Sequence, residues 1–291
     1  MGSRARRRCP RRGRGCVAAA RGPDAGRHRS GQCAGAKACG GAAGVSEPRA
    51  ALPMYARPET AAAEGRLWAG IWAEYPGLPE RLGMPRDLIA HWQAPDLVFS
   101  QTCGLPYRRV LHGQVHLIGT PDFGLEGCPP GHYRSVLVMR RSRATSDPGR
   151  WAGCRFAYNG KTSQSGWAAL HAHIRHQGVL LGEGIETGSH LGSLKAVSAG
   201  AAEIAAIDAQ TWRLATRYEP LCAGLDVVGR TAPTPGLPYV TGPGGDPEAL
   251  AAAIRAAIGA LPDADRQLLG LVGLVPIPAK RYLAVEVDHP D

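Results

Sequence analysis

The sequence predicts an α/β fold with largely parallel sheets. Short apolar segments typical of buried strands recur between residues 96 and 208, and segments with apolar residues at helical spacing lie between them. Such alternation is typical of α/β domains, because the helices cover the faces of a sheet. The chain has 291 residues, which is enough for two modest domains with buried cores.

The first helix is predicted to follow Pro58-Glu59-Thr60 and to end before Pro76-Gly77, because large apolar residues recur at helical spacing between them. Five segments have the pattern of buried strands: 96–100, 115–119, 135–139, 155–157 and 203–208. Further helices are predicted up to about residue 177, over 190–199, around Trp212, over the alanine-rich 247–260 and near Leu268. We expect a turn region at 182–188, a crossover into a second domain at 140–150, and the return crossover at 231–238.

The positive charge is concentrated in the first 50 residues. They carry twelve Lys or Arg and two acidic residues, whereas residues 51–291 carry 22 of each sign, so the net charge of +10 belongs to the first segment. That segment is rich in Arg, Gly and Ala and has no hydrophobic periodicity, so a disordered tail is predicted at 1–50. Its longest apolar run, residues 16–20, is shorter than the roughly 7–15 residues of a secretory signal.

Three interpretations of this tail stay open. It is a basic arm for nucleic acid or anionic lipid, a degenerate targeting segment, or sequence outside the native protein. We favour the last interpretation, with translation beginning near Val45 or Met54. An Arg-, Gly-, Ala- and Pro-rich sequence is what a GC-rich gene yields when the translation start is assigned too far upstream. The neutral charge of the body makes nucleic acid an unexpected partner for it.

Cysteine and histidine spacing disfavours metal chemistry. No C-x-x-C pair occurs, and the body cysteines Cys103, Cys128, Cys154 and Cys222 lie far apart, so a zinc ribbon and a disulfide scaffold are disfavoured. A Cys103–Cys128 bridge and free thiols both stay open, and we favour free thiols. Three histidines (171, 173 and 176) share a predicted helix without an H-E-x-x-H pattern, so a solvated polar face is favoured over a metal site. No cofactor is expected.

The segment with the strongest indication of function is Tyr158–Trp167, which reads Y-N-G-K-T-S-Q-S-G-W. It joins a predicted strand to a predicted helix, and a helix start presents unpaired backbone N–H groups and a weakly positive dipole end to an oxyanion. Ser163 and Ser165 add hydroxyl donors. The alternative is that these serines are ordinary N-caps that bind nothing.

Two further residues can complete an anion site. His190 follows Gly188-Ser189 at another helix start, where it can donate a hydrogen bond and partial positive charge. Asp208 ends a strand, where open α/β sheets place their ligands. A carboxylate can accept a hydrogen bond from an oxyanion that keeps a proton. Asp208 therefore favours protonated tetrahedral oxyanions over sulfate. The alternatives are a surface histidine that caps its helix and an aspartate that caps a turn.

The order Ser165, His190, Asp208 also suggests a hydrolase. We disfavour this hypothesis, because a nucleophile elbow needs the pattern G-x-S-x-G, whereas position 163 is Ser and position 167 is Trp. No glycine run indicates an oxyanion hole.

As a whole, positions 52–282 resemble the phosphate/phosphite/phosphonate-binding proteins of ABC transporters, which have the type II periplasmic binding protein fold. The resemblance rests on Leu52-Pro53-Met54-Tyr55, on S-Q-T-C-G-L-P-Y at 100–107, on Ser163-Gln164-Ser165-Gly166, on Gly188-Ser189-His190 and on Ala205-Ala206-Ile207-Asp208. It implies two α/β lobes with mixed, mostly parallel sheets, joined by two crossover strands and closing on an anion. The first lobe is expected at 51–141 and 231–291, and the second at 142–230.

The resemblance also implies the site and the partners. The serine-rich loop with Ser163, Gln164 and Ser165 is expected to hold the phosphorus oxygens; Tyr55, Gln101, Thr102 and Tyr107 form the opposite wall, and His190 and Asp208 complete the site. It implies a monomeric solute-binding protein, not an enzyme, that captures phosphate, phosphite or phosphonate for an ABC permease. The alternative is an enzyme on the same scaffold with His190 as its base.

Two features depart from the family pattern. The family is periplasmic, but no signal peptide is recognised, so a cytoplasmic location stays open. Lys161 lies within the anion loop, which allows a more negative or a larger ligand.

Overall fold

The computed structural model describes residues 49–286, so the predicted tail lies outside the described residues except for its last two. The strands are β1 Arg49–Ala51, β2 Leu97–Gln101, β3 His116–Asp122, β4 His132–Tyr133, β5 Ser135–Arg140, β6 Phe156–Tyr158, β7 Gly184–Glu186, β8 Ile204–Asp208, β9 Leu225–Arg230, β10 Thr234–Pro235, β11 Tyr239–Thr241 and β12 Gly273–Val275. Five of them were predicted from their apolar pattern, and the remainder are mostly too short to show one.

The α-helices are α1 Ala61–Glu74, α2 Leu88–Trp92, α3 Gly104–Pro106, α4 Ala169–His176, α5 His190–Ala199, α6 Ala209–Tyr218, α7 Pro247–Ala260, α8 Asp263–Leu269 and α9 Ala279–Leu283. A π-helical turn, Tyr107–Leu111, continues α3, and another, Gln164–Ala168, leads into α4. The predicted helices at 190–199 and 247–260 have the predicted bounds. The predicted turn region at 182–188 contains β7.

Two five-stranded mixed sheets define two lobes. The sheet of lobe 1 has the order β1-β2-β11-β3-β12, and that of lobe 2 has the order β7-β6-β8-β5-β9. In each sheet the strand that arrives from the other lobe is inserted antiparallel, β11 between β2 and β3, and β5 between β8 and β9. The α/β fold with two lobes is confirmed. The sheets are mixed but not mostly parallel as predicted, because five of their eight strand pairings are antiparallel: four involve the inserted strands, and the fifth joins β12 to β3.

The lobes are joined by residues 123–134 and 231–238, which run side by side. Within them β4 and β10 pair antiparallel, with Tyr133 opposite Thr234. The backbone N–H of Ser135 donates to Thr231 Oγ1 at 2.9 Å and ties the same two segments together. This two-stranded ribbon forms the two crossover strands that the family resemblance implied.

The predicted boundary between the lobes needs a correction. β5 already pairs with β8 and β9 in the sheet of lobe 2, so the predicted start of that lobe at residue 142 is too late. Residues 140–150, predicted to be the crossover, instead contain the 3₁₀ turns Arg141–Arg143 and Pro148–Trp151. The sequence pattern identified β5 as a strand but not its sheet, because its partners lie far away along the chain.

The core of lobe 2 explains why β8 reads as a continuous apolar run. Ala205 and Ile207 are buried in one cluster with Leu194 of α5, whereas Ile204 and Ala206 are buried in another with Leu170 of α4. In a strand that is covered on both faces, all side chains are buried, so apolar and polar residues do not alternate along it. The polar residue that follows, Asp208, is therefore held at a rigid strand end.

β1 begins at Arg49, inside the predicted tail. It pairs parallel with β2 at the edge of the sheet, and Ala50, Ala51 and the following Leu52 are buried. The Ala50 carbonyl accepts from the Gly83 N–H at 2.7 Å. No helix within residues 49–286 combines the length and apolar character that a bilayer crossing requires.

A chain that begins at Met54 is therefore expected to be less stable than one that begins at Val45. Burial of Leu52 alone contributes roughly 2 kcal/mol, which corresponds to a lower midpoint by roughly 4–8 °C for a protein of this size. Thermal unfolding of the two chains, followed by circular dichroism, measures the difference. Equal midpoints would contradict a stabilising role for β1.

Candidate functional site

A cleft of about 520 Å³ lies between the two lobes. Residues after β1 and β2, together with α2, form the lobe 1 wall, and residues after the parallel strands β6 and β8 form most of the lobe 2 wall. Strand ends of this kind are where open α/β sheets bind ligands. Five of the nine predicted site residues line it: Tyr55, Ser163, Ser165, His190 and Asp208.

Ser163 and Ser165 lie at the start of the helical segment that continues into α4. Ser163 Oγ accepts from the Gly166 N–H at 3.0 Å, so this serine is an N-cap as well as a cleft residue. Ser165 Oγ lies 3.4 Å from Ser163 Oγ and 2.8 Å from His190 Nε2. The loop thus brings two hydroxyls and an imidazole together at a helix N-terminus.

The tight packing of this loop requires glycine at position 166. A Cβ there would meet Asn159 Oδ1 at 2.1 Å and His190 Cε1 at 3.3 Å. Asn159 also lines the cleft, and its buried Oδ1 has no hydrogen-bond partner among the described residues. It was not among the predicted site residues, although its position directly after β6 is the signal that identifies it.

His190 begins α5 behind the N-cap Ser189, as predicted. Burial lowers the pKa of His190 to about 4, and a hydrogen bond with the Ala206 backbone opposes this only in part. The ring is therefore neutral at pH 7 and does not supply the predicted partial positive charge. The Ser165 hydroxyl and His190 Nε2 share one hydrogen bond: the Nε2–H tautomer donates it and leaves the Ser165 O–H for a ligand, whereas the Nδ1–H tautomer accepts it from Ser165.

Asp208 connects the two walls of the cleft. Its Oδ1 accepts from the Thr211 N–H at 2.9 Å and caps α6, and its Oδ2 accepts from the Tyr55 hydroxyl of lobe 1 at 3.0 Å. The residue is 2% exposed. Burial raises the pKa of Asp208 to about 6, even though both hydrogen bonds favour the charged form. A ligand that donates a proton to this carboxylate relieves part of the cost of burying its charge.

Tyr133 of the crossover strand β4 is a buried polar residue that the sequence did not reveal, and it lies beside the cleft without lining it. It is 3% exposed, and its hydroxyl lies near Ser165. Burial raises the pKa of Tyr133 well above its usual value, and the nearby Cys103 and Asp208 add to this. A strand of two residues has no periodicity, so no local pattern pointed to it.

Three predicted residues of the opposite wall do not line the cleft, which corrects their assignment. Gln101 Nε2 donates to the carbonyl of residue 237 at 3.2 Å, and the Thr102 N–H donates to that of residue 238 at 3.0 Å. Both residues therefore hold the second crossover against β2. Tyr107 is 2% exposed and packs edge-on against Tyr282, with ring centroids 5.3 Å apart.

Gln164, also predicted to contact the ligand, holds the lobes together instead. It is 2% exposed, its Oε1 accepts from Arg108 Nη2 of lobe 1 at 2.6 Å, and its N–H donates to Cys103 Sγ at 3.4 Å. Cys103 is a free thiol, as are Cys128, Cys154 and Cys222. The alternative of a Cys103–Cys128 bridge is therefore not formed in the structure.

Other polar contacts close the lobes around the cleft. Arg57 Nη2 lies 2.6 Å from Glu219 Oε1. Arg213 of α6 donates to the Phe123 carbonyl at 2.9 Å and to the Gly270 carbonyl at 3.2 Å. The structure therefore describes a state in which the two walls are in contact.

The geometry does not form a hydrolase triad. Ser165 reaches His190, but Asp208 binds Tyr55 and the Thr211 N–H instead of orienting the imidazole. A Ser-His-Asp triad requires that orienting carboxylate.

Two of the three helical histidines lie against aromatic rings, whereas His176 is exposed, so the predicted solvated face is formed only in part. His171 lies 4.2 Å from Trp167 and His173 lies 6.2 Å from Trp151, measured between ring centroids. Within residues 49–286, no group of three or more His, Cys, Asp or Glu side chains is placed to hold a metal ion.

Residues 103–280 match the family of ABC transporter, phosphonate, periplasmic substrate-binding proteins. The match covers more than half of the chain, so the chain belongs to this family. Its members bind a small ligand and work with an ABC permease. No curated protein matches the chain.

Solved structures of low sequence identity share the fold. PhnD1 from Prochlorococcus marinus in complex with methylphosphonate has a TM-score of 0.65 at 15% identity, over 81% of this chain and 94% of that one. A binding protein component of an ABC phosphonate transporter from Pseudomonas aeruginosa has a TM-score of 0.63 at 12% identity, over 82% and 84%. A Xanthomonas citri protein bound to ATP has a TM-score of 0.59 at 15% identity, over 81% and 94%.

Proposed function

We propose that the cleft captures a small phosphorus oxyanion, namely phosphate, phosphite or a phosphonate, and that the chain delivers it to an ABC permease. The observation that carries this proposal is the placement of Ser163 and Ser165 at a helix N-terminus in the same cleft as the Tyr55–Asp208 pair. Family membership and the methylphosphonate bound by PhnD1 support it.

Backbone dipoles and hydroxyls supply the attraction for the anion. Three helical segments begin at the lobe 2 wall, with Ser163, Ser189 and Asp208 as their N-caps. Each such terminus carries partial positive charge, which favours an anion. Lys161 is exposed and lies over the Trp167 ring at 5.8 Å, so it does not line the cleft, and the larger ligand charge that it suggested is unsupported.

Asp208 is the selectivity element of the proposed site. An oxyanion that carries a proton donates it to the carboxylate, whereas a fully deprotonated anion such as sulfate faces an uncompensated negative charge. Repulsion by the Asp208 carboxylate weakens the binding of fully deprotonated anions, whereas a protonated anion is not repelled in this way.

Thermal unfolding of the full chain tests the proposal with phosphate, phosphite, methylphosphonate and sulfate as additives. A ligand at about 100 times its Kd stabilises the folded state by about 2.7 kcal/mol, which raises the midpoint by several degrees. At least one phosphorus anion is expected to raise it, and sulfate is not. An unchanged midpoint with every phosphorus anion would overturn the proposal.

A further inference from the structure

The two walls of the cleft differ in chemical character. Lobe 2 lines it with polar residues from three loops: Asn159, Thr162, Ser163, Ser165, Ser189, His190, Asp208 and Thr211. Lobe 1 lines it largely with carbon: Met54, Leu88, Ile89, Trp92 and Pro106. A ligand held by both walls therefore needs a polar end and an apolar end.

The apolar wall is a consequence of where the polar groups of lobe 1 point. Gln101 and Thr102 hold the second crossover, so neither offers a hydrogen bond to the cleft. The indole N–H of Trp92 is also occupied, because it donates to Ser100 Oγ and to the Gln101 carbonyl, each at 3.2 Å. Its carbon surface is what remains for the cleft.

Leu88 and Ile89 make the wall available to a ligand. Both belong to α2, which Asp87 caps by accepting from the Ala90 N–H at 3.0 Å. Both are half-buried and join the cluster around Trp92 and Tyr107. Half-buried apolar side chains in a cleft gain further burial when a carbon group covers them.

The cleft is larger than an inorganic anion and offers no counter-charge at the apolar wall. The cleft of about 520 Å³ has room for many water molecules at about 30 Å³ each. A small anion such as phosphate or phosphite therefore fills only part of it. Among the described cleft-lining residues the charged side chains are Arg57 and Asp208. Arg57 pairs with Glu219 and Glu59, and Asp208 binds Tyr55, so both already have partners.

We propose that the ligand is an organophosphonate with an uncharged, apolar substituent, whose oxyanion lies at the Ser163–Ser165 loop and whose carbon chain lies against α2. This inference rests on the proposed function, because the oxyanion loop sets the position of the chain. An ammonium group on the substituent has no counter-charge on the α2 wall and loses its hydration there.

Three phosphonates test this with the full chain by isothermal titration calorimetry: methylphosphonate, propylphosphonate and 2-aminoethylphosphonate. Propyl and aminoethyl groups have the same number of heavy atoms, so this pair isolates the charge. Each buried methylene is worth roughly a fourfold change in Kd, so propylphosphonate, with two more methylenes, is expected to bind about fifteenfold more tightly than methylphosphonate. It is also expected to bind at least tenfold more tightly than 2-aminoethylphosphonate.

Variants then locate the subsite. Leu88→Ser and Ile89→Ser are each expected to weaken propylphosphonate at least fivefold and methylphosphonate less than twofold, with unfolding midpoints that show both variants folded. Leu180→Ser is the matched control, because Leu180 is 85% exposed and lies outside the cleft lining; it is expected to change neither affinity.

The outcomes separate the two proposals. If methylphosphonate binds and propylphosphonate binds equally or more weakly, the apolar subsite is overturned and the oxyanion site stands. If 2-aminoethylphosphonate binds more tightly than propylphosphonate, the apolar substituent is wrong. If none of the three binds, the inference of an organophosphonate ligand is overturned, and titration of phosphate and phosphite in the same way decides the proposed function: it stands if either binds and fails if neither does.

Discussion

Replacement of both Ser163 and Ser165 by alanine is expected to weaken binding of a phosphorus oxyanion at least 100-fold while the chain stays folded. Each hydroxyl offers a hydrogen bond to a charged group, worth about 1.5–3 kcal/mol, and every 1.4 kcal/mol is about tenfold in Kd. The loss to folding is smaller, because an N-cap such as Ser163 contributes about 1 kcal/mol.

Calorimetric titration of the double variant with the phosphorus anion that binds the parent chain measures this loss. Ser198→Ala is the control, because Ser198 is an exposed residue of α5 outside the cleft lining. Its affinity is expected to equal that of the parent. A double variant that is folded and binds within fivefold of the parent would contradict the role of the serine loop.

Asp208→Asn is expected to make the free protein more stable at neutral pH. Burial raises the pKa of Asp208 to about 6 from 3.8, so between these values the folded chain keeps a proton that the unfolded chain has lost. Stability therefore falls as the pH rises through this window, and above pH 6 the charged carboxylate costs about 3 kcal/mol, at 1.36 kcal/mol per pKa unit. Asparagine does not titrate, and it still caps α6.

Unfolding midpoints of the two chains between pH 4 and pH 8 test this. The variant and the parent are expected to agree near pH 4, and the variant is expected to be more stable by several degrees at pH 7–8. Asp226→Asn is the control, because Asp226 is an exposed partner of Arg141, and such pairs contribute little. A variant that is less stable than the parent at pH 8 would show that the buried Asp208 carboxylate does not destabilise the folded state.

The same substitution is expected to change selectivity. Without the carboxylate, sulfate no longer faces a buried negative charge, so the ratio of the sulfate Kd to the Kd of the preferred phosphorus anion should fall at least tenfold. Calorimetry with both anions measures that ratio. An unchanged ratio would place the discrimination elsewhere in the cleft.

The sequence predicted the longer elements well, because their patterns are local. β8 reads as a buried strand since both of its faces are covered, and α5 shows its start through the N-cap Ser189 and its end through Gly200, whose φ is positive. β4 and β10, with two residues each, carry no pattern. The sheet to which β5 belongs could not be predicted either, because strand pairing depends on residues far along the chain.

Residues that line the cleft were predictable where they lie at a strand or helix end. Ser163, His190 and Asp208 occupy such positions, and all three line the cleft. The buried Tyr133 beside the cleft was not predicted, because it lies in a two-residue crossover strand. Tyr107 was misplaced because a π-helical turn directs its ring into the core of lobe 1, and such a turn leaves no mark on the hydrophobic pattern.

A crystal structure of the chain grown with the phosphorus anion that most raises its unfolding midpoint would locate the bound ligand. We expect a tetrahedral anion between the lobes, with its oxygens within about 3 Å of the Ser163 and Ser165 hydroxyls and one protonated oxygen facing Asp208. An anion bound outside this cleft, or within it but away from both serines, would overturn the proposed site.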